Sequence, residues 1–136
     1  MTEAVVDYQM RVDLALPYDE AIARVTAALK TEGFGILTEI DVKSTLKKKI
    51  NADFRRYVIL GACNPPLAFR ALSTELEIGL MLPCNVIVYE TEDGAGSVVS
   101  IVDPEAMLGV GASAALSDVA AEAKARLQRV AMALAD

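Results

Sequence analysis

Residues 56–62 form a nearly continuous run of β-prone apolar side chains, and this run limits the folds open to the chain. Such a run is typical of a central strand that is buried on both faces of a sheet. It leads directly into Cys63-Asn64-Pro65, where Asn64 is a good N-cap and Pro65 is a good first helical residue. The sequence therefore predicts a central strand that passes into a helix immediately after Cys63.

The other segments carry strand and helix patterns, but they lack the regular alternation of a doubly wound sheet. In order, the patterns predict a strand (8–16), a helix (18–33), a strand (34–42), a short helix within 42–50, the strand at 56–62, a helix from 64 to about 79, strands at 86–92 and 97–102 joined by a hairpin at Asp93-Gly94, a short helix through Met107 and a long final helix. We therefore predict one α+β domain over residues 1–136, with a mostly antiparallel sheet of about five strands.

Composition excludes several classes of function. The chain contains no histidine, which rules out Ser-His-Asp and Cys-His catalysis and any histidine-ligated metal or haem. Although 54% of its residues are hydrophobic, no apolar run approaches the roughly 20 residues that span a bilayer, so no membrane partner is expected. Residues 1–7 lack the basic and apolar regions of a secretory signal, so we expect a cytoplasmic location, in which both cysteines are thiols.

Charge is unevenly distributed along the chain. The net charge of −6 argues against a nucleic-acid partner, yet Asp41 to Arg56 carries six basic and two acidic residues. This segment is either an ordinary solvated face or a surface for an anion or an acidic partner. Lys43 and Lys47 are its candidate ligand-binding residues.

Cys63 is the most informative single residue. A thiol just outside a helix N-terminus is close to free backbone N–H groups and to the positive end of the helix dipole, which predicts a lowered pKa. Such a cysteine can act as a nucleophile, a redox thiol or a soft-metal ligand. The alternative interpretation is a small buried hydrophobe at a tight strand-to-helix junction.

Cys84 lies between Pro83 and Asn85 and so resembles the first Cys-Asn turn. Two cysteines at the ends of different elements can converge at one end of a sheet, and both are therefore candidate catalytic residues. Their spacing is not a zinc signature, while a two-thiolate site for Cu(I) and a catalytic disulfide both stay open. Asn64, Asn85 and Glu90 complete the candidate ligand-binding set.

The glycines of residues 109–113 precede the final helix and offer a weak anion-binding pattern. They match neither the Walker A nor the dinucleotide pattern, and a flexible helix junction is the preferred interpretation.

Three segments of the chain, residues 27–42, 57–65 and 82–90, together resemble the DUF302 family, a domain family of unknown function. The family's Cys-Asn-Pro and Leu-Pro-Cys motifs fall on Cys63-Asn64-Pro65 and Leu82-Pro83-Cys84, and the resemblance extends from about Tyr8 to Leu134. It implies a TBP-like α+β domain, with a curved antiparallel sheet and helices on one face, commonly seen as a homodimer. It implies no reaction.

Two functional hypotheses follow. In the first, Cys63 and Cys84 form a site that binds a small ligand or acts in sulfur or redox chemistry, with the lysines as partners for an anion. In the second, the chain is a non-catalytic homodimeric interaction or regulatory module that uses the Asp41–Arg56 surface. The sequence names no cofactor and does not decide whether the chain is an enzyme.

Overall fold

A computed structural model describes residues 8–108 and 114–135 as a five-stranded antiparallel sheet with helices. The strands are β1 (Gln9–Leu14), β2 (Gly35–Asp41), β3 (Tyr57–Cys63), β4 (Cys84–Glu90) and β5 (Ser97–Val102). The helices are α1 (Tyr18–Thr31), α2 (Val42–Ile50), α3 (Pro65–Thr74), α4 (Pro104–Leu108) and α5 (Ala114–Ala135), with a 3₁₀ helix at Leu76–Met81. The predicted α+β class and the five antiparallel strands are confirmed.

The strands are arranged in the order β1-β5-β4-β3-β2, and every neighbouring pair is antiparallel. The predicted β4–β5 hairpin is present, and Gly94 at its tip has a φ of +71°, which a glycine adopts without strain. The first strand pairs with the last one, so Gln9 lies opposite Val102. This order makes β3 an interior strand, as its apolar sequence predicted.

The main core lies on one face of the sheet. Val58, Leu60 and Ala62 of β3 point into it and alternate with half-buried neighbours such as Ile59. The core is completed by apolar residues from β4, β5, α1 and α5, among them Val86, Val88, Val99, Ile101, Val25, Leu29, Leu127 and Val130. Each fully buried side chain of this size contributes roughly 1.5–3 kcal/mol.

The prediction that β3 is buried on both faces is wrong. The helices of the core cover one face, and the other face carries half-buried side chains such as Tyr57 and Tyr89, whose rings stack with centroids 5.4 Å apart. A continuous apolar run therefore accompanies a strand that is buried on one face and shielded by neighbouring side chains on the other.

A second apolar cluster lies beside the main core and joins α3, the 3₁₀ helix, α4 and α5. Its buried members include Leu67, Ala71, Ile78, Leu108, Leu116, Val119 and Ala123. The predicted helix from 64 to about 79 is in fact two elements, because Glu75 has extended backbone angles that separate α3 from the 3₁₀ helix. β4 also begins at Cys84, within the segment predicted to be a turn.

Candidate functional site

The two cysteines lie at the same end of the sheet. β3 ends at Cys63, β4 begins at Cys84, and Cys84 lies opposite Ala62, the residue before Cys63. The usual spacing between strands and along a strand puts the two cysteine Cα atoms roughly 6 Å apart. Both side chains are half-buried free thiols. The antiparallel register thus brings together two residues that are far apart in the sequence.

Both thiols line one cavity of about 280 Å³. Strict alternation along ideal strands would direct the two side chains to opposite faces, but β3 ends at Cys63, where the chain turns into α3. The cavity lies at the seam between the two apolar clusters. Its described lining residues are Phe34, Leu37, Ala62, Cys63, Asn64, Leu67, Ala68, Ala71, Leu72, Leu82, Pro83, Cys84, Leu108 and Ala123. Among these described residues none is charged, and Asn64 alone has an amide side chain.

Asn64 fixes the geometry at the base of this cavity. Its Oδ1 accepts a hydrogen bond from the backbone N–H of Leu67 (3.3 Å), which caps α3 as predicted. Its Nδ2 donates to the backbone carbonyl of Glu32 at the end of α1 (3.3 Å). Gly33, with a φ of +85°, passes so close that a Cβ there would lie 2.9 Å from this Nδ2. The Asn64 amide therefore joins the end of α1 to the start of α3.

The electrostatics of the thiols differ from the prediction. Burial raises the pKa of Cys63, although a lowered pKa was expected from its position before a helix. The local sequence explains the difference, because Pro65 and Pro66 have no N–H group and the N–H of Leu67 is bonded to Asn64. The first turn of α3 thus presents no free N–H donor at those three positions to stabilise a thiolate.

The pKa of the Cys84 thiol is raised more strongly than that of Cys63. Burial, with a smaller contribution from neighbouring Cys63, raises the pKa of the Cys84 thiol from 9.0 to about 11. An apolar environment disfavours the charged form, and ionisation of one thiol opposes ionisation of the other. At neutral pH both groups are therefore protonated thiols.

Gly61 positions the segment that leads into Cys84. A Cβ at this position would lie 2.7 Å from Cγ of Pro83 and would collide with Oγ1 of Thr38. The peptide bond between Leu82 and Pro83 is cis. Close contact between β3 and the Pro83 ring therefore requires a glycine at position 61.

The other candidate ligand-binding residues lie away from the cavity. Glu90 is at the opposite end of β4, roughly 20 Å from Cys84 along the strand. There it accepts hydrogen bonds from the backbone N–H (2.8 Å) and Nε (3.2 Å) of Arg56, and the backbone bond is the main cause of a lowered Glu90 pKa. Asn85 is exposed and lies opposite Gly61, one position along β4 from Cys84.

Lys43 and Lys47 belong to α2, at the Glu90 end of the sheet. Nζ of Lys43 donates to the backbone carbonyl of Phe54 (2.8 Å), and Nζ of Lys47 is 3.1 Å from a carboxylate oxygen of Asp53. They line an open groove of about 550 Å³. The structure thus separates the lysines from the thiols, and an anion held by these lysines would not contact either cysteine.

Three other expectations from the sequence concern metal ligands, membrane spans and the glycine-rich segment. Within residues 8–108 and 114–135, no group of three or more Cys, Asp or Glu side chains could hold a metal ion. In the same part of the chain, no helix is long and apolar enough to cross a membrane. The glycine-rich anion pattern at residues 109–113 falls outside the described residues.

Sequence reasoning missed most of the cavity wall. The apolar stripe predicted for this helix, Leu67 or Ala68 with Leu72 and Leu76, indicated a packed helix face. Leu76 is in fact 84% exposed, because it lies beyond the break at Glu75, and spacing alone does not show that small residues at positions 68 and 71 leave a gap. Leu37 was also missed, because the irregular register between Ile36 and Thr38, which leaves Leu37 67% exposed, has no clear sequence signature.

Comparisons with known proteins agree with the sequence motifs. Residues 8–134 match the family described as "Domain of unknown function DUF302". A crystal structure of an uncharacterized conserved DUF302 protein from Bacillus stearothermophilus is similar, with a TM-score of 0.84 and 32% sequence identity. The alignment covers 95% of this chain and 99% of that one. No curated protein was similar enough to count as a match. The family match over nearly the whole chain shows that this protein belongs to the DUF302 family.

Proposed function

We propose that this protein binds a small, uncharged, mainly apolar ligand in the cavity lined by Cys63 and Cys84. The thiols contact a soft or sulfur-containing part of that ligand, and the apolar walls contact the remainder. The observation that carries this proposal is the combination of two neighbouring thiols with about 280 Å³ of space whose described walls lack charge.

The size and lining of the cavity support this proposal. A cavity of about 150 Å³ lined by apolar side chains is enough to bind benzene, and ligand pockets typically begin at about 300 Å³. The cavity here falls between these values, which suits a ligand somewhat larger than benzene. A charged ligand would lose its hydration without gaining an ionic partner from the described walls.

An NMR titration with indole, an uncharged aromatic probe, tests the cavity. We expect amide shifts centred on Ala68, Leu72 and Cys84, because these residues line it. Ala68→Leu should fill the cavity and abolish the shifts, whereas Ser73→Leu adds the same side chain to an exposed position of α3 and should preserve them. Shifts that persist unchanged in Ala68→Leu would reject the cavity as the binding site.

A second candidate function is the docking of an acidic partner on α2, as a regulatory module. Lys48 and Lys49 are exposed beside Ile50 and Phe54, which are 69% and 42% exposed, so charge and apolar area occur together there. Basic residues in the last turn of α2 also interact favourably with the negative end of its helix dipole, and this stabilisation explains part of the lysine cluster without any partner. Reversal of both lysines to glutamate should abolish salt-sensitive binding to an acidic peptide. Equal binding by the variant would exclude this surface.

The homodimer remains a proposal linked to this second function. β2 is an edge strand whose residues are mostly exposed, so one edge of the sheet is open to a second copy. Sedimentation over a wide concentration range should show a monomer–dimer equilibrium, and a monomer at every concentration would count against it.

A further inference from the structure

The chemistry of the cavity narrows the class of ligand beyond "small and apolar". This step rests on the proposed function, because it requires that a ligand enters the cavity. Both thiols line the same cavity, and its described wall carries no charge, so a ligand that bonds to both sulfur atoms and leaves the site neutral fits it best.

Metal cations satisfy this requirement poorly. A Cu(I) ion held by two thiolates carries a net charge of −1, which the described walls do not compensate. Zinc requires four ligands in a structural site, and the described residues provide no cluster of three suitable side chains. A soft element that is already bonded to carbon and needs only two sulfur ligands fits better.

We infer that Cys63 and Cys84 together bind an uncharged organic compound of trivalent arsenic, R–As(OH)₂, with its organic group in the apolar cavity. Two As–S bonds form and two As–O bonds break. Each thiol proton leaves with one hydroxyl group as water, so the reaction releases two water molecules. Arsenic keeps its bond to carbon and its oxidation state, and no oxidant or reductant is needed. The product, R–As(S–Cys)₂, is neutral.

The geometry agrees with this reaction. The cysteine Cα atoms are roughly 6 Å apart by strand spacing, within the Cα range of about 4.4–6.8 Å found for bonded cysteines, and both thiols line the same cavity. A single bridging atom relaxes this requirement further. Leu67, Ala68 and Leu72 provide apolar contacts for the organic group. The raised pKa of each thiol is also compatible, because the condensation starts from S–H groups.

Titration of the full chain with phenylarsonous acid tests the inference. Mass spectrometry should show one phenylarsenic group per chain, and both cysteines should be protected from alkylation until a small dithiol removes the arsenic. Cys63→Ala and Cys84→Ala should each bind about 100-fold more weakly or worse, because two-point attachment is lost. Protection of one cysteine alone, or undiminished binding by either variant, would overturn the inference.

A second comparison separates this cavity from an ordinary surface dithiol. 4-Carboxyphenylarsonous acid has the same reactive group with an added negative charge, and we expect it to bind at least about tenfold more weakly because its carboxylate would be buried without a partner. Ala68→Leu should weaken phenylarsonous acid binding while both thiols remain, and Ser73→Leu should not. Equal affinity for the two arsenicals would overturn the inference.

The indole titration keeps the two proposals distinguishable. If indole binds and phenylarsonous acid does not engage both thiols, the arsenical inference is wrong and the apolar cavity stands. If neither compound binds, both proposals fail.

Discussion

The reactivity of Cys84 towards iodoacetamide should reveal its raised pKa. At neutral pH, a shift of the pKa from 9.0 to about 11 lowers the thiolate fraction about 100-fold. A thiolate of higher pKa is more nucleophilic, which recovers about tenfold of that loss. We therefore expect Cys84 to react about tenfold more slowly in the folded protein than in the unfolded chain at pH 7.5, before any steric hindrance is counted.

The pH dependence provides the sharper measurement. Peptide mapping by mass spectrometry gives a separate rate for each cysteine, and the same chain in denaturant supplies the matched control. Between pH 9 and 10 the unfolded thiols should approach a plateau, whereas the rate for folded Cys84 should continue to rise nearly tenfold per pH unit. A folded Cys84 rate that levels off near pH 9, or equals the unfolded rate, would refute the reasoning from burial.

Three further predictions concern stability. The unfolded chain loses the Cys84 proton near pH 9, whereas the folded protein retains it until about pH 11. The free energy of unfolding should therefore fall by up to about 1.4 kcal/mol per pH unit between these two values. Chemical denaturation at several pH values measures this decline, which the Cys84→Ala variant should lack. Gly61→Ala should lower the free energy of unfolding by about 1–3 kcal/mol, because its Cβ would overlap the Pro83 ring, and thermal melting measures the effect. Asn64→Ala should lower the free energy of unfolding, measured by urea denaturation, by about 1–2 kcal/mol, because it removes the side-chain cap of α3.

Each of these predictions has a control within the chain. Stability at pH 6–8 should not depend on Cys84 ionisation, so a slope there that Cys84→Ala removes would contradict the sign of the shift. Gly35→Ala is the matched control for Gly61→Ala, because a Cβ at position 35 meets no atom within 4 Å; equal effects would contradict the packing argument. An Asn64→Ala protein as stable as the parent would show that the cap contributes nothing.

Much of the fold follows from local sequence. The Asn64-Pro65 pair marks the start of α3, Gly33 marks the end of α1, and Asp93-Gly94 marks the β4–β5 hairpin, because each residue type suits one backbone conformation. The hypothesis that the two cysteines converge at one end of the sheet also came from their positions at the ends of elements. What local patterns could not supply is the strand register that places Cys84 beside Ala62.

The chemistry of the site was harder to predict. The expected lowering of the Cys63 pKa relied on helix position alone, although Pro65 and Pro66 in the printed sequence already remove two N–H donors. The rise in the Cys84 pKa depends on desolvation by residues from several elements, which no short motif encodes. The separation of Glu90 from the thiols could have been foreseen, because Glu90 is six residues further along the same predicted strand region than Cys84, which corresponds to roughly 20 Å.

The pairing of β1 with β5 has a consequence for the order of assembly. When the first strand emerges during synthesis, the strand it must pair with does not yet exist, and it appears only after β2, β3 and β4 have been made. Until then, the apolar side of β1 has to remain uncovered or be shielded by a chaperone, while the hairpin of β4 and β5 can form rapidly from neighbouring residues. The sheet can therefore be completed only after the C-terminal half of the polypeptide has been made, and a ribosome-stalled N-terminal fragment should be prone to aggregation.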